Sequence, residues 1–234
     1  MKVLIVGMGI GQLYKGIYEN KLYDVTTVDQ DKPADYWDIE QVNGEFDIAH
    51  ICTPNWTHGT IARTIADRCK IVFVEKPGLR TSDSWEALVH TFPNTRFAMV
   101  KNNQFRHNLP ELYIKARQSD KIILNWHNYN RVPSPGSWFT NKDKAWGGVS
   151  RDLMPHLLSW VQIFEASYHE LVCMYSETHQ LYNLETVGST DYGTVDPLGV
   201  YDVDDTAEMC LQNTWCTYLC TTSWKNPVGN KINL

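Results

Sequence analysis

The feature that most constrains this chain is the regular alternation of its first hundred residues. KVLIV (2–6), DVTTV (24–28), FDIAHIC (46–52), KIVFV (70–74) and TRFAMV (95–100) are short, apolar and rich in β-branched residues. That is the texture of strands buried on both faces. Between them run the helix-like stretches GQLYKGIYEN, THGTIARTIADR and SDSWEALVHTF. In the last of these, Ser82 or Asp83 can cap the helix, with Glu86 in capping-box position. Strand and helix in turn imply βαβ units, right-handed crossovers and a doubly wound parallel sheet.

Beyond that the texture changes. NLPELYIKARQS reads as a connecting helix and KIILNWHNYNRV as a longer strand of mixed facing. A Pro/Gly/Ser-rich loop, VPSPGSWFTNKDKAWGG, precedes a helix predicted over about 153–166. Strand-like runs follow at LVCMYS, TAEMCLQN and TWCTYLCTTSW, split by the Gly/Asp-rich VGSTDYGTVDPLGVYDVDD. The pattern predicts a smaller α+β domain with an open, mostly antiparallel sheet. The boundary falls near residue 120, giving domains 1–119 and 120–234.

A net charge of −6 over 234 residues argues against nucleic acid, which selects a basic face, and against a standing partnership with an anionic membrane. The opening MKVLIVGMGIG is too short for a signal core or a span. Six cysteines occur without C-x-x-C or metal-type pairing with histidine, so no metal site is expected. Cysteines set in strand-like runs act as small buried hydrophobes, which suits a reducing, cytoplasmic compartment.

Gly7, Gly9 and Gly11 stand immediately after the first strand and at the start of a helix. Glycines there allow a tight turn whose backbone N–H groups approach a pyrophosphate at a helix N-terminus. The turn runs Gly7, Met8, Gly9, Ile10, Gly11, Gln12. Gln12 occupies the place of the usual third glycine, and Gly11 can serve in a loop one residue shorter. Asp29 ends the second strand, where an acid accepts the adenosine ribose hydroxyls and repels a 2′-phosphate. Strand, glycines, helix and strand in this order favour a dinucleotide, and Asp29 selects NAD over NADP.

Four stretches, GMGIGQLY, ICTPNWTHGTIA, VEKPGLRT and WGGVSRDLMPH, together resemble the Gfo/Idh/MocA oxidoreductases, the family of glucose–fructose oxidoreductase and inositol dehydrogenase. DDTAEMCLQN (204–213) is a weaker echo. The resemblance implies a Rossmann domain followed by an open sheet that faces the nicotinamide. Residue by residue, it implies that Thr53, Pro54, Asn55 and His58 line the cofactor from the third-strand loop. On the residues alone, His58 reads equally well as a helix-start histidine satisfied by local backbone.

The resemblance further implies that Lys76 is the catalytic lysine, hydrogen-bonding the substrate oxygen, with Glu75 against the cofactor and Pro77 holding the turn. By itself a Glu-Lys pair at a strand end reads as a solvated pair worth little. His156 is the implied base. Asp152, four residues earlier, sits on the same helix face and can fix the imidazole. The competing reading has Asp152 capping the helix and His156 packed beneath Trp160. Trp146, Met154 and Pro155 depart from the family pattern. Arg106 and Trp138 fall near substrate-facing positions.

The expected function is hydride transfer between NAD and a secondary alcohol or ketone of a sugar, cyclitol or sugar derivative. A non-catalytic NAD sensor of the same fold is the alternative, and an imine or double-bond reductase would use the fold without His156 as base. The chain stops where relatives of the family continue, so a smaller second sheet and a homodimer formed through its open face are expected.

Overall fold

The computed structural model describes residues 1–100, 108–128, 132–165, 171–180, 196, 198–224 and 231–233. They fall into two units, Met1–Val100 and Lys101–Leu234.

In the first unit, β1 (Lys2–Val6), β2 (Asp24–Val28), β3 (Phe46–Ile51), β4 (Cys69–Val74) and β5 (Arg96–Met99) pair in parallel in the order β2-β1-β3-β4-β5. The runs that read as doubly buried strands are that sheet. Leu4, Val6, Ile51, Val72 and Val74 pack with Ala62, Ile65 and Leu88 of α2 (His58–Ile65) and α3 (Ser82–Thr91). On the opposite face Val3, Ile5 and Met8 meet Tyr14 and Tyr18 of α1 (Gly11–Glu19). Each fully buried aliphatic contributes roughly 1.5–3 kcal/mol. Strand order reverses direction between β1 and β3, which opens a crevice at their carboxyl ends, the usual ligand position in such sheets. Thr81 caps α3, accepting from Ser84 N at 3.1 Å, one residue before the position that Ser82 or Asp83 would supply.

His50 of β3 is 5 % exposed. Its Nε2 lies 2.7 Å from Tyr18 Oη, and its ring is flanked by Tyr14 and Phe73. Burial lowers its pKa from 6.5 to about 4. The neutral ring is the one that folds, so its share of stability is present above pH 6.5 and is lost as pH falls through 4. At pH 5 the loss is about 2 kcal/mol relative to pH 7.5. Urea midpoints at the two pH values should show it. The pH slope should flatten in His50→Phe, and an equal slope in both proteins would refute the assignment.

In the second unit, β6 (Lys121–His127), β7 (Val172–His179), β8 (Thr206–Gln212), β9 (Thr217–Ser223) and β10 (Lys231–Asn233) form a sheet in the order β10-β6-β9-β8-β7. Three of its pairings are antiparallel, and β6 runs parallel to β9. Ile122, Leu124, Trp126, Tyr218 and Cys220 share one core with Leu157, Trp160, Val161 and Phe164 of α7 (Met154–Phe164). Two short helices, α5 (Lys142–Ala145) and α6 (Val149–Asp152), precede α7. Every residue of the edge strand β7 is exposed. The helix α4 (Leu109–Ala116) belongs here, because Ala116 is 5 % exposed within this core and Leu109 and Leu112 pack against it. The division after Val100 therefore precedes the boundary expected near residue 120.

Candidate active site

β1, β3 and β4 are neighbours in the first sheet, so the segments leaving their carboxyl ends lie side by side. Cys52 N donates to Val6 O at 2.7 Å and Glu75 N to Ile51 O at 2.9 Å. These bonds align the glycine turn, the Thr53 loop and the Glu75-Lys76 turn in one row.

The three glycines do different work. Gly7 has φ +93°, and a Cβ there would stand 2.6 Å from Cys52 O. At Gly11 a Cβ would meet Ile5 Cγ2 at 2.8 Å, so this glycine seats the helix on the strand. A Cβ at Gly9 would meet no backbone and make one ordinary contact, with Lys32 Nζ at 3.7 Å. Backbone can therefore approach a ligand at Gly9. Residues Met8, Ile10 and Gln12 complete the turn, and α1 begins without a side-chain cap. A turn of this shape fits a pyrophosphate. Lys32 was not singled out by the sequence, since a lysine in the DQDK turn reads as a solvated charge.

Asp29 is anchored. Its Oδ2 accepts from Met8 N at 2.5 Å, and its Oδ1 accepts from Asp31 N and Lys32 N, each at 2.8 Å. Burial pushes its pKa up, but the three backbone donors and Lys32 outweigh that and hold the carboxyl below its ordinary value. A carboxylate offers about four lone-pair sites, so three are taken up in fixing the charge at the end of β2.

Two expected cofactor contacts are placed differently. His58 is fully buried. Its Nδ1 lies 2.8 Å from Gly78 O and its Nε2 2.8 Å from Thr53 O. Burial lowers its pKa despite the two carbonyls, and a neutral ring donates through one nitrogen only. It ties the Thr53 loop to the turn after Lys76 and offers no surface to a ligand. Glu75 is 8 % exposed and turns inward. Tyr14 Oη donates to its Oε1 at 2.5 Å, and Lys76 N to its Oε2 at 3.2 Å. Burial raises its pKa, opposed by Tyr14 and Lys76. The acid of the strand-end pair is an anchor beneath α1, while Lys76 is half-buried beside it. In the same loop Asn55 is buried, Thr53 and Pro54 are half-buried, and Thr57 Oγ1 lies 2.6 Å from Thr53 Oγ1.

In the second unit, Asp152 ends α6 and His156 lies in the first turn of α7. Leu153 stands at the start of α7 with no side-chain cap, so Asp152 is not its capping residue. The Asp152 carboxylate accepts instead from Trp224 Nε1 at 3.0 Å. His156 is 9 % exposed and stacks on Trp126, ring centroids 4.4 Å apart and planes 18° from parallel. The Asp204 carboxylate grips the start of α6 by accepting from Gly148 N at 2.8 Å and Ser150 N at 2.7 Å. Trp138 is half-buried and stacks on Phe139 at 3.8 Å. Arg106 lies outside the described residues.

Residues 1–100 match the model of the GFO_IDH_MocA oxidoreductase family, described as an NAD-binding Rossmann fold. That stretch is similar to the Gfo/Idh/MocA oxidoreductases. An oxidoreductase subunit from Amycolatopsis mediterranei (strain S699) is 30% identical over 122 residues, 49% of this chain and 33% of that protein. The levoglucosan dehydrogenase of Pseudarthrobacter phenanthrenivorans is 25% identical over 171 residues, 68% of this chain and 44% of its own length. The matches thus span less than half of either curated relative. Among solved structures, GenD2 from gentamicin A biosynthesis, in complex with NAD, is similar over 99% of this chain and 68% of its own, with TM-score 0.79 and 18% identity. Levoglucosan dehydrogenase with NADH and L-sorbose gives TM-score 0.76 at 17% identity, over 99% and 69%. At these identities the structures speak for the fold alone: a Rossmann-type unit and a second α+β unit with a mixed sheet. Among the described residues, no helix is long and apolar enough to cross a membrane.

Proposed function

We propose that this chain is an NAD-dependent dehydrogenase acting on a secondary alcohol, or the corresponding ketone, of a sugar or cyclitol. The observation that carries the reading is the row formed by the glycine turn, the Thr53 loop and the Lys76 turn at the carboxyl ends of three neighbouring strands. In the proposed site, Gly9 and the start of α1 hold the pyrophosphate and Asp29 the adenosine ribose. Bound there, nicotinamide supplies the hydride acceptor. Lys76 hydrogen-bonds the substrate oxygen and stabilises the alkoxide-like charge that develops on it. His156 takes the hydroxyl proton, and Asp152 orients its ring. Dehydrogenases of sugars among the relatives support the substrate class.

The protein should quench and transfer tryptophan fluorescence on titration with NADH, with binding at least about tenfold weaker for NADPH because Asp29 repels a 2′-phosphate. If neither nucleotide binds, the shortened glycine turn is not a phosphate cradle and the enzyme reading falls. A homodimer through the open sheet of the second unit belongs to the same proposal, and sedimentation equilibrium decides it.

A further inference from the structure

Two tryptophans of the second unit's core also hold its candidate catalytic pair. Trp224 is fully buried one residue beyond β9, and its indole N–H is donated to Asp152 Oδ2 at 3.0 Å. Trp126 of β6 lays its ring against the His156 imidazole, 4.4 Å away and nearly parallel, while its own N–H is donated to Asn128 Oδ1 at 3.2 Å. β6 and β9 are adjacent and in register, Trp126 beside Thr222 and His127 beside Ser223. The two indoles therefore rise from neighbouring strand ends. One reaches the last residue of α6, the other the first turn of α7.

That placement answers a difficulty in the local backbone. Helix continuity holds side chains four apart in register, but here α6 ends at Asp152 and α7 restarts at Met154, with Leu153 widened to φ −104° between them. A carboxylate at such a break has two torsions to settle, and an imidazole likewise. The directional indole N–H bond from Trp224 helps to set the Asp152 carboxylate plane. A flat π-face sets the imidazole plane, and it favours the cationic ring once a proton is taken. Both supports are rigid, because Trp224 is packed on all sides and Trp126 is fixed at both ring and N–H.

We infer that Trp126 and Trp224 are positioning residues for the Asp152–His156 pair, replacing the alignment that an unbroken helix would give. The inference rests on the proposed roles of Asp152 and His156. Its test has an arm that needs no substrate. In the full chain labelled with ¹⁵N, the Trp224 indole resonance, assigned by its loss in Trp224→Phe, should move in the near-isosteric Asp152→Asn. The second arm is levoglucosan oxidation with NAD. Trp126→Leu should lower kcat about 10- to 100-fold with KM and NADH affinity within about twofold, and Trp126→Phe, which keeps a stacked ring, should recover most of the loss. A Trp224 resonance that does not move in Asp152→Asn, or wild-type turnover in Trp126→Leu, overturns the inference. If His156→Ala is itself as active as the parent, the base assignment has failed and the positioning role goes with it. If His156→Ala is inactive while Trp126→Leu is fully active, the positioning role alone fails.

Discussion

His156→Ala will lower kcat by about 10²–10⁴-fold, the usual worth of a positioned general base, and will leave the Kd for NADH within about twofold. The split is expected because the residues proposed to hold the dinucleotide, Gly9 and Asp29 among them, lie in Met1–Val100 and His156 lies in the other unit. Truncation also removes a ring that packs on Trp126, so His156→Gln, closer in volume, serves as the companion variant. Both should be inactive with wild-type cofactor affinity. A fall of less than about threefold in both would remove the general base from the reaction, and reduction of an imine or double bond would become the better account.

The largest effect on stability is expected from Gly148→Ala. A Cβ at this position would stand 1.7 Å from the backbone oxygen of Asp204 and 2.7 Å from its carbonyl carbon. No side-chain rotation relieves a clash with backbone, so the strand entry at 204–205 or the start of α6 must move. The same Asp204 supplies the bonds that close α6: its backbone oxygen accepts from Val149 N at 2.9 Å, and its carboxylate accepts from Gly148 N and Ser150 N. Overpacking together with lost caps should cost about 4 kcal/mol or more, beyond the usual range for a point change. Gly16→Ala is the contrast. It lies within α1 with nothing within 4 Å of its added methyl, and it should stabilise by up to about 1 kcal/mol. Urea unfolding of the two variants measures both. A Gly148→Ala protein as stable as the parent would mean that the contact with Asp204 yields without cost.

How far the sequence could be read depended on the range of the interaction involved. The strands of the first sheet were legible because burial on both faces leaves an uninterrupted apolar run, and β1 and β2 match KVLIV and DVTTV residue for residue. Lys76, Asp152 and His156 are proposed from the resemblance, with the four-residue spacing added for the last two. Their supports could not be found in that way. Tyr14 reaches Glu75 across 61 residues and Trp224 reaches Asp152 across 72, and no local pattern announces either bond. The resemblance set Glu75 against the cofactor, and by itself a carboxylate at a strand end reads as turned to solvent. The Tyr14 hydroxyl, with Lys76 and its backbone N–H, makes the inward turn of Glu75 tolerable. Trp126 and Trp224 read as ordinary core residues, which they also are. The break between α6 and α7 was hidden by Pro155, which suits the first turn of a helix whether or not another helix ends just before it.

The parallel pairing of β6 with β9 has a consequence for how the chain is made. Residues 1–100 contain every strand of their own sheet, so that unit can close soon after it leaves the ribosome. β6 cannot pair with β9 until Thr217–Ser223 have been synthesised, and β10 follows later still. At ordinary elongation rates the interval is on the order of ten seconds. During it, the strand that carries Ile122, Leu124 and Trp126 waits without a strand on either side. The nascent chain is therefore most in need of a chaperone's cover after its nucleotide-binding half has finished folding.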